Sequence, residues 1–517
     1  MFVRKKRNKS GTISVHVIRK TRNGSQEVVK TFGSAAESET EKLKLMVAEA
    51  YDFIKKSEGP ALPLSFEKDS IVRSLLSTIK NTDIQVVGPE MIFGRLYDRI
   101  GFNAIGSDLF RHLVICRIFN PGSKLKTVEY LARYLHTTYS VDSIYRFMDE
   151  LCYRGKATRT NAPDYKSQVE RITFDYTRKL CGGMISVCFY DMTTLYFEAA
   201  EEDELKKCGF SKDGKHTCPQ IFIGLLVTTG GNPIGYEVFR GNIYEGDTII
   251  PLIKRLSDRF NLGKPIVVAD AGLLSKRNIK ALKEEGYGFI LGARIRNEPE
   301  AIKNAILRQN LKYGDVVELQ KQDCRLIISS SEKRAFKDAQ NRQKGLARLQ
   351  KKVRGGQLTK SCINNRGYNK YLTLSGDLRI GIDMGKFNAD AAWDGLKGYV
   401  TNTSLEKDEV ITSYSNLWYI ERAFRMNKFD LAVRPIYHHI ENRIKGHICV
   451  CFTAYSVLLE LERILKSAGS RITIARACEL VKTMYAIDCT LPDSNLRQKF
   501  YLEMDDEQKE LCRLVCG

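Results

Sequence analysis

Val187-Cys188-Phe189-Tyr190-Asp191-Met192-Thr193-Thr194 and, 79 residues on, Pro265-Ile266-Val267-Val268-Ala269-Asp270-Ala271-Gly272 decide the fold. Each places an aspartate at the close of an apolar, β-branched run, which reads as a buried strand. A carboxylate does not sit in such a strand without compensation. A third acid, Glu421, lies in the helix-period segment Leu417-Trp418-Tyr419-Ile420-Glu421-Arg422-Ala423-Phe424-Arg425. Three carboxylates brought to one place make a hard-oxygen site for Mg2+ or Mn2+. Two such ions can serve the attacking and the leaving oxygen of a phosphoryl transfer.

Working outward, strands are expected at 184–190, 221–228, 234–239, 265–269 and 287–293, with helices at about 247–260 and 275–285. Gly230-Gly231-Asn232-Pro233 supplies a hairpin turn. Three antiparallel strands, a helix, then a strand ending in Asp270 is the order of a ribonuclease-H-like mixed sheet. The fold class expected is therefore multidomain α/β, with that core interrupted by a β-rich insertion and preceded by a helical DNA-binding region. The domains expected are 1–60, a basic β-hairpin plus helix; 61–180, the helical DNA-binding region; and 181–296, the first part of the core. After them come 297–404, a β-rich basic insertion with a mobile arm at 332–360; 405–470, the core helices with Glu421; and 471–517, a helical C-terminal segment. Gly59-Pro60 and Pro63 read as a linker, and Asn23-Gly24 as a hairpin turn.

The chain has 517 residues, too many for one core. Its net charge of +21 asks for a polyanionic partner, with nucleic acid as the default. Nine Lys/Arg against one Glu fall in residues 1–30, and ten against two acids in 332–360. Such segments neutralise phosphates without reading sequence. The 14 cysteines are scattered without a CxxC pair, which argues for reduced thiols rather than disulfides or zinc. No membrane-spanning run is present, and a cytoplasmic protein is expected.

Tyr414, Leu417, Glu421, Arg425 and Lys428 are spaced 3, 4, 4 and 3, which keeps all five on one helical face. Residues 137–154 read as a turn and a helix. They fit either a helix-turn-helix with Tyr145 and Arg146 at the groove, or a plain helical pair in a bundle. Thr193 and Thr194 fit strand filler or a carboxylate-orienting role, and Asp394, a fourth acid, fits an Asp-Gly turn or a ligand. Trp393 and Trp418 fit core packing or a stacked base. His438 and His439 fit a phosphate contact or packing at a helix start, and His216 a surface position.

The chain resembles the DDE transposases of bacterial insertion sequences, in the group sometimes written insertion-sequence family four. That group carries Tyr-x2-Arg-x3-Glu-x6-Lys, and here the pattern is Tyr414-x2-Leu417-x3-Glu421-x6-Lys428. Leu417 stands where the arginine is expected, and Arg422 and Arg425 are the candidates to replace it. Asn120-Pro121-Gly122-Ser123-Lys124, Asp394-Gly395-Leu396-Lys397-Gly398-Tyr399, Arg434-Pro435-Ile436-Tyr437-His438 and Gly446-His447-Ile448 resemble one branch of the group. The resemblance implies a transposase that binds terminal inverted repeats as a homodimer on double-stranded DNA. It would cut a phosphodiester and join the 3′ hydroxyl to target DNA. Asp191 would bridge two Mg2+ or Mn2+ ions, Asp270 and Glu421 would hold one each, and Tyr414 and Lys428 would position phosphates. The alternatives are a catalytically inactive DNA-binding remnant, or a nuclease of the same fold.

Overall fold

The computed structural model describes the chain except for residues 22–23, 59–71, 74–75, 78, 153–163, 199–200, 210–216, 274, 356–357, 359–361, 365–366, 376–378, 434–435 and 491–495. Asn23, the 59–63 linker, His216, Gly356 and Arg434-Pro435 thus lie outside the described residues. The chain forms two compact units, one of residues 1–83 and 487–500, the other of 84–486 and 501–517.

The smaller unit holds an antiparallel sheet in the order β1-β2-β3, formed by Phe2–Arg7, Thr12–Lys20 and Gln26–Ala36. Helix α1 (Thr40–Glu58) packs on it through Leu43, Ala50 and Ile54 against Val15, Val17 and Ala35. A hairpin was expected from the alternation after Thr12. The charged start Phe2–Arg7 adds a third strand, because register with β2 is satisfied while its basic side chains stay in water.

In the larger unit a short strand (Ile84–Val86) and the helical stretch 90–100 precede helices α2 (Asp108–Phe119), α3 (Lys124–Tyr134), α4 (Val141–Leu151) and α5 (Tyr165–Leu180). Strands β4 (Val187–Tyr196), β5 (Gln220–Thr228) and β6 (Pro233–Arg240) follow, then α6 (Ile249–Phe260) and β7 (Ile266–Ala269). Next come α7 (Lys276–Glu284), β8 (Phe289–Ala293), β9 (Val316–Lys321), β10 (Cys324–Ser330), α8 (Glu332–Arg354) and β11 (Leu396–Thr401). Helices α9 (Lys407–Ser415), α10 (Trp418–Arg425) and α11 (Glu441–Ser467) complete the core. The elements expected between 184 and 293 coincide with β4 to β8 within a few residues, β4 running on to Tyr196.

One mixed eight-stranded sheet runs β9-β10-β11-β8-β7-β4-β5-β6. Strand β4 pairs antiparallel with β5, β5 antiparallel with β6, β4 parallel with β7, and β7 parallel with β8. Every residue of β5 is buried, as a central strand between two covered faces requires. The β5–β6 turn needs positive φ at both Gly230 (92°) and Gly231 (85°), where a side chain would be strained.

Three sequence expectations change here. Strands β9, β10 and β11 do not form a sheet apart; they extend the main sheet, because β11 pairs with both β8 and β10. The basic stretch expected as a mobile arm is the 23-residue helix α8 as far as Arg354. Leu346 and Leu349 anchor it against Tyr371 and Phe387, leaving Lys344, Arg348, Lys351 and Lys352 exposed, while Arg342 turns inward to Asp394. The segment 471–517 is also mixed, since strands Tyr485–Thr490 and Arg497–Tyr501 separate its helices.

Candidate active site

Side chains alternate across a strand, and the sheet divides them between two cores. Phe189, Leu195 and Val268 lie in the core that contains Tyr414, Leu417, Ile420 and Phe424 of the α9–α10 segment. Cys188, Tyr190, Met192, Val267 and Ala269 lie in the core on the opposite face, with α6. Asp191 therefore shares the face of Phe189 and Leu195. The parallel register pairs Phe189 with Val268 and Tyr190 with Ala269. Asp191 and Asp270 are the next positions in that register, on neighbouring strands and on the face covered by α9 and α10.

Helix α10 runs along that face. The Tyr419 ring lies 6.4 Å from Phe189, centroid to centroid. Phe424 and Lys428 line a cavity of about 30 Å3 together with Thr193 and Leu195. Glu421 lies in the helix between these contacts and is exposed. The five-residue stripe is not one helix face. A turn at Asn416-Leu417 separates α9 from α10, and Tyr414 and Leu417 are buried while Glu421 and Arg425 are exposed. Lys428 sits in a wider helical turn, Met426–Asp430, and is half-buried.

Asp270 Oδ1 accepts from its neighbour's backbone, Ala271 N, at 2.7 Å and from the Tyr414 hydroxyl at 3.0 Å. Burial, then the Asp270 charge, pushes the Tyr414 phenol far above its ordinary value, so it remains a donor. Gly292 on β8 makes room for it, since a Cβ there would stand 2.4 Å from the Tyr414 oxygen.

Lys397 on β11 was not singled out from sequence. Its ammonium lies 4.3 Å from the centre of the Tyr414 ring and 5.6 Å from that of Tyr399. Burial and the charge of Arg334 lower its pKa, while Asp270 and Glu421 pull the other way. Both acids therefore act on one cation. The signal was strand alternation, which puts Lys397 on the same face as Tyr399.

Among the described residues, no three His, Cys, Asp or Glu side chains are gathered closely enough to hold a metal ion. Three carboxylates at one point repel one another without a cation between them. The donor chemistry nevertheless suits a hard divalent ion, because two aspartates share one face and offer oxygen only.

Arg422 pairs with Glu462 on α11 and so ties α10 to that helix. Arg425 is exposed and makes no ion pair among the described residues. Asp394 is held by Arg342, as a structural acid would be. Trp393 is buried in the second core, whereas Trp418 is 46% exposed and lies 4.0 Å from the Tyr419 ring. Thr193 and Thr194 are buried. Arg146 is exposed, and Tyr145 lines a separate cavity with His438. Beside Lys397, a cleft of about 670 Å3 is lined by Arg294, Arg296, Arg334, Arg342 and Lys370. Asp338, Asp390 and Asp394 neutralise part of it, but Arg294 and Lys397 have no carboxylate at ion-pair distance among the described residues.

The family described as Transposase DDE domain matches residues 182–457, just over half of the chain. Among solved structures, the chain is similar to piggyBac transposase in a synaptic complex with hairpin DNA, at 10% identity and TM-score 0.39, covering 76% of each chain. It is also similar to Mos1 transposase in a paired-end complex with the left transposon end, at 10% identity and TM-score 0.16, covering 47% of this chain and 71% of the other. A Mos1 mariner paired-end complex with Mn matches at 10% identity and TM-score 0.15, covering 49% and 78%. No curated protein matches.

Proposed function

The chain belongs to the Transposase DDE domain family, and from that premise we propose that it is a metal-dependent, cut-and-paste DNA transposase with a ribonuclease-H-like core. The observation that carries the proposal is the adjacent register of Asp191 and Asp270 on the sheet face covered by the helix of Glu421. The order of β4 to β8, three antiparallel strands followed by two parallel ones, supports the ribonuclease-H-like reading.

In this reading Asp191, Asp270 and Glu421 hold the ions. Divalent ions bound there would activate the attacking oxygen and stabilise the leaving one. The chain's own residues do the positioning. Tyr414 fixes the Asp270 carboxylate by its hydrogen bond. Arg425 and Lys428, both following Glu421 in the chain, meet phosphates, and Lys397 lies at the edge of the basic cleft that the strand would follow. Tyr145 and Arg146 contact the duplex, two copies act together on paired ends, and the protein works in the cytoplasm. Among the described residues no helix is long and apolar enough to cross a membrane.

The test is an assay of purified protein on DNA bearing the inverted repeats that flank its own gene. Nicks with 3′ hydroxyls and joined products, both lost on chelation, are expected. Cleavage without joining would indicate a nuclease, and binding without either would indicate an inactive remnant.

Arg425→Ala should lower cleavage or strand transfer about tenfold or more, the scale of a lost charged hydrogen bond. Arg422→Ala should instead lower stability, because it breaks the Glu462 tie. Single-turnover rates and thermal melts separate the two. Equal, mild rate effects would leave the arginine missing at Leu417 without a substitute on this helix.

The outer face of α8 exposes Lys344, Arg348, Lys351 and Lys352. Replacing all four with glutamine should lower the logarithmic salt slope of duplex binding by up to ~3.6, at about 0.9 per phosphate contact. An unchanged slope would mean that these charges are solvated and meet no DNA.

A further inference from the structure

Away from the carboxylates, Arg117 near the end of α2 and Lys124 at the start of α3 flank the turn Asn120-Pro121-Gly122-Ser123. They line a cavity of about 230 Å3 with Tyr145, Tyr437, His438 and His447. Its floor is buried: Lys124 is 5% exposed, Arg117 8% and His447 4%. Its rim is open at Tyr437 and Pro121.

The two cations of the floor have no anionic partner among the described residues. Among the described residues neither cation has a carboxylate at ion-pair distance, and the Lys124 ammonium makes no hydrogen bond. The single hydrogen bond of Arg117 is a long one, 3.5 Å to the Gly122 carbonyl. His447 uses Nε2 toward the Val433 carbonyl at 3.2 Å, and its Nδ1 is buried without a partner. Arg443, close by, is satisfied by Asp149. Burial and Arg117 push Lys124 down to about 7, and burial with Lys124 and Arg117 pushes His438 down to about 4. Two buried cations that repel each other are unfavourable unless an anion joins them. The start of α3, where Ser123 caps Lys126 N, adds the partial positive charge of a helix N-terminus.

We propose that this cavity is a phosphate-binding pocket, distinct from the catalytic carboxylates, in which Arg117 and Lys124 take one phosphoryl group and His447 Nδ1, whose ring donates through Nε2 to the Val433 carbonyl, accepts the proton of a protonated phosphate or a water beside it. A guanidinium fork from α2 and an ammonium from the first residue of α3 face one cavity, which suits an oxyanion. The phosphate is either one from the backbone of bound DNA, which rests on the transposase reading, or a free phosphate. Val433, which holds His447, also lines the small cavity beside Lys428. The pocket and the candidate active site are thus joined by a short stretch of chain.

The test uses the full chain. Inorganic phosphate is titrated by calorimetry and thermal melting against chloride at equal ionic strength, with wild type, Lys124→Met and Arg117→Gln. Wild type should bind and be stabilised, and either substitution should weaken binding about tenfold or more. The same proteins are then assayed for binding to duplex DNA across a salt series. A slope reduced by about 0.9 in Lys124→Met, with phosphate competing against DNA in wild type, identifies a backbone phosphate. Phosphate binding with an unchanged DNA slope identifies a free phosphate. Absence of any phosphate effect on wild type overturns the pocket, and that measurement needs no variant to fold. Repeating it in Asp191→Asn separates the pocket from the chemistry, since phosphate binding should persist there whether or not the transposase reading stands.

Discussion

Asp191→Asn should abolish strand cleavage, by roughly 10²–10³-fold at the least, the scale of losing one group that stabilises developing charge. Asparagine keeps the shape of the side chain and removes its charge, so β4 and its pairing with β5 and β7 should be unaffected. Binding to inverted-repeat DNA should stay close to wild type, because it draws on basic surface spread over the chain. End-labelled substrate reports nicking, a mobility shift reports binding, and circular dichroism reports folding. A folded variant that loses binding and cleavage together would place the chemistry elsewhere. So would a variant that still cuts at the wild-type rate.

The second large effect concerns stability. Glu170 on α5 is fully buried, and Arg255 on α6 grips it with two bonds of 2.8 and 2.9 Å. Arg259 adds a bond of 3.4 Å and Lys166 lies 3.8 Å away. Removing one member of such a network leaves buried charge without a partner, so Glu170→Gln should destabilise the larger unit by about 3–5 kcal/mol. Glu237, 2.8 Å from Arg255, remains as a partial counterion, which favours the lower end. Urea melts would measure the change, and a loss below about 1 kcal/mol would mean that the network is solvated. The network also sets a pH dependence. Burial raises the Glu237 carboxyl, but Lys166 and Arg255 outweigh it and hold it below the ordinary range. A carboxyl depressed in the folded state gives stability that is full above the unfolded value of about 4.3. That stability is lost as pH falls through the folded value. Wild type should therefore weaken on acidification below about pH 4.3, and the loss should be smaller in a Glu237→Gln variant.

The strands β4 to β8 were legible because each is an apolar run bounded by turn residues. Asp270, directly after β7, was legible for the same reason, whereas Asp191 proved to lie within β4, which continues to Tyr196. Membership of β9, β10 and β11 in the main sheet was not, since local pattern cannot say which strands pair. Helix α8 hid behind its charge, although Leu346, Leu349 and Val353 keep a helical step. The pairing of Arg422 with Glu462 and the position of Lys397 beside Tyr414 depend on contacts between distant segments. The turn at Asn416-Leu417 broke a stripe that spacing alone had drawn straight.

Strand β11 has a consequence for how the molecule is made. The hairpin of β9 and β10 joins the rest of the sheet only through β11, which follows it by more than sixty residues. Until Leu396–Thr401 is in place, β8 and β10 both present unpaired edges, and the hairpin has nothing to grip. Such non-local closure is entropically slow. During synthesis the two aspartates would be available long before the glutamate, with the sheet still open. Competence to cut would therefore arrive late and abruptly, in the step that closes the sheet and lays α10 across it.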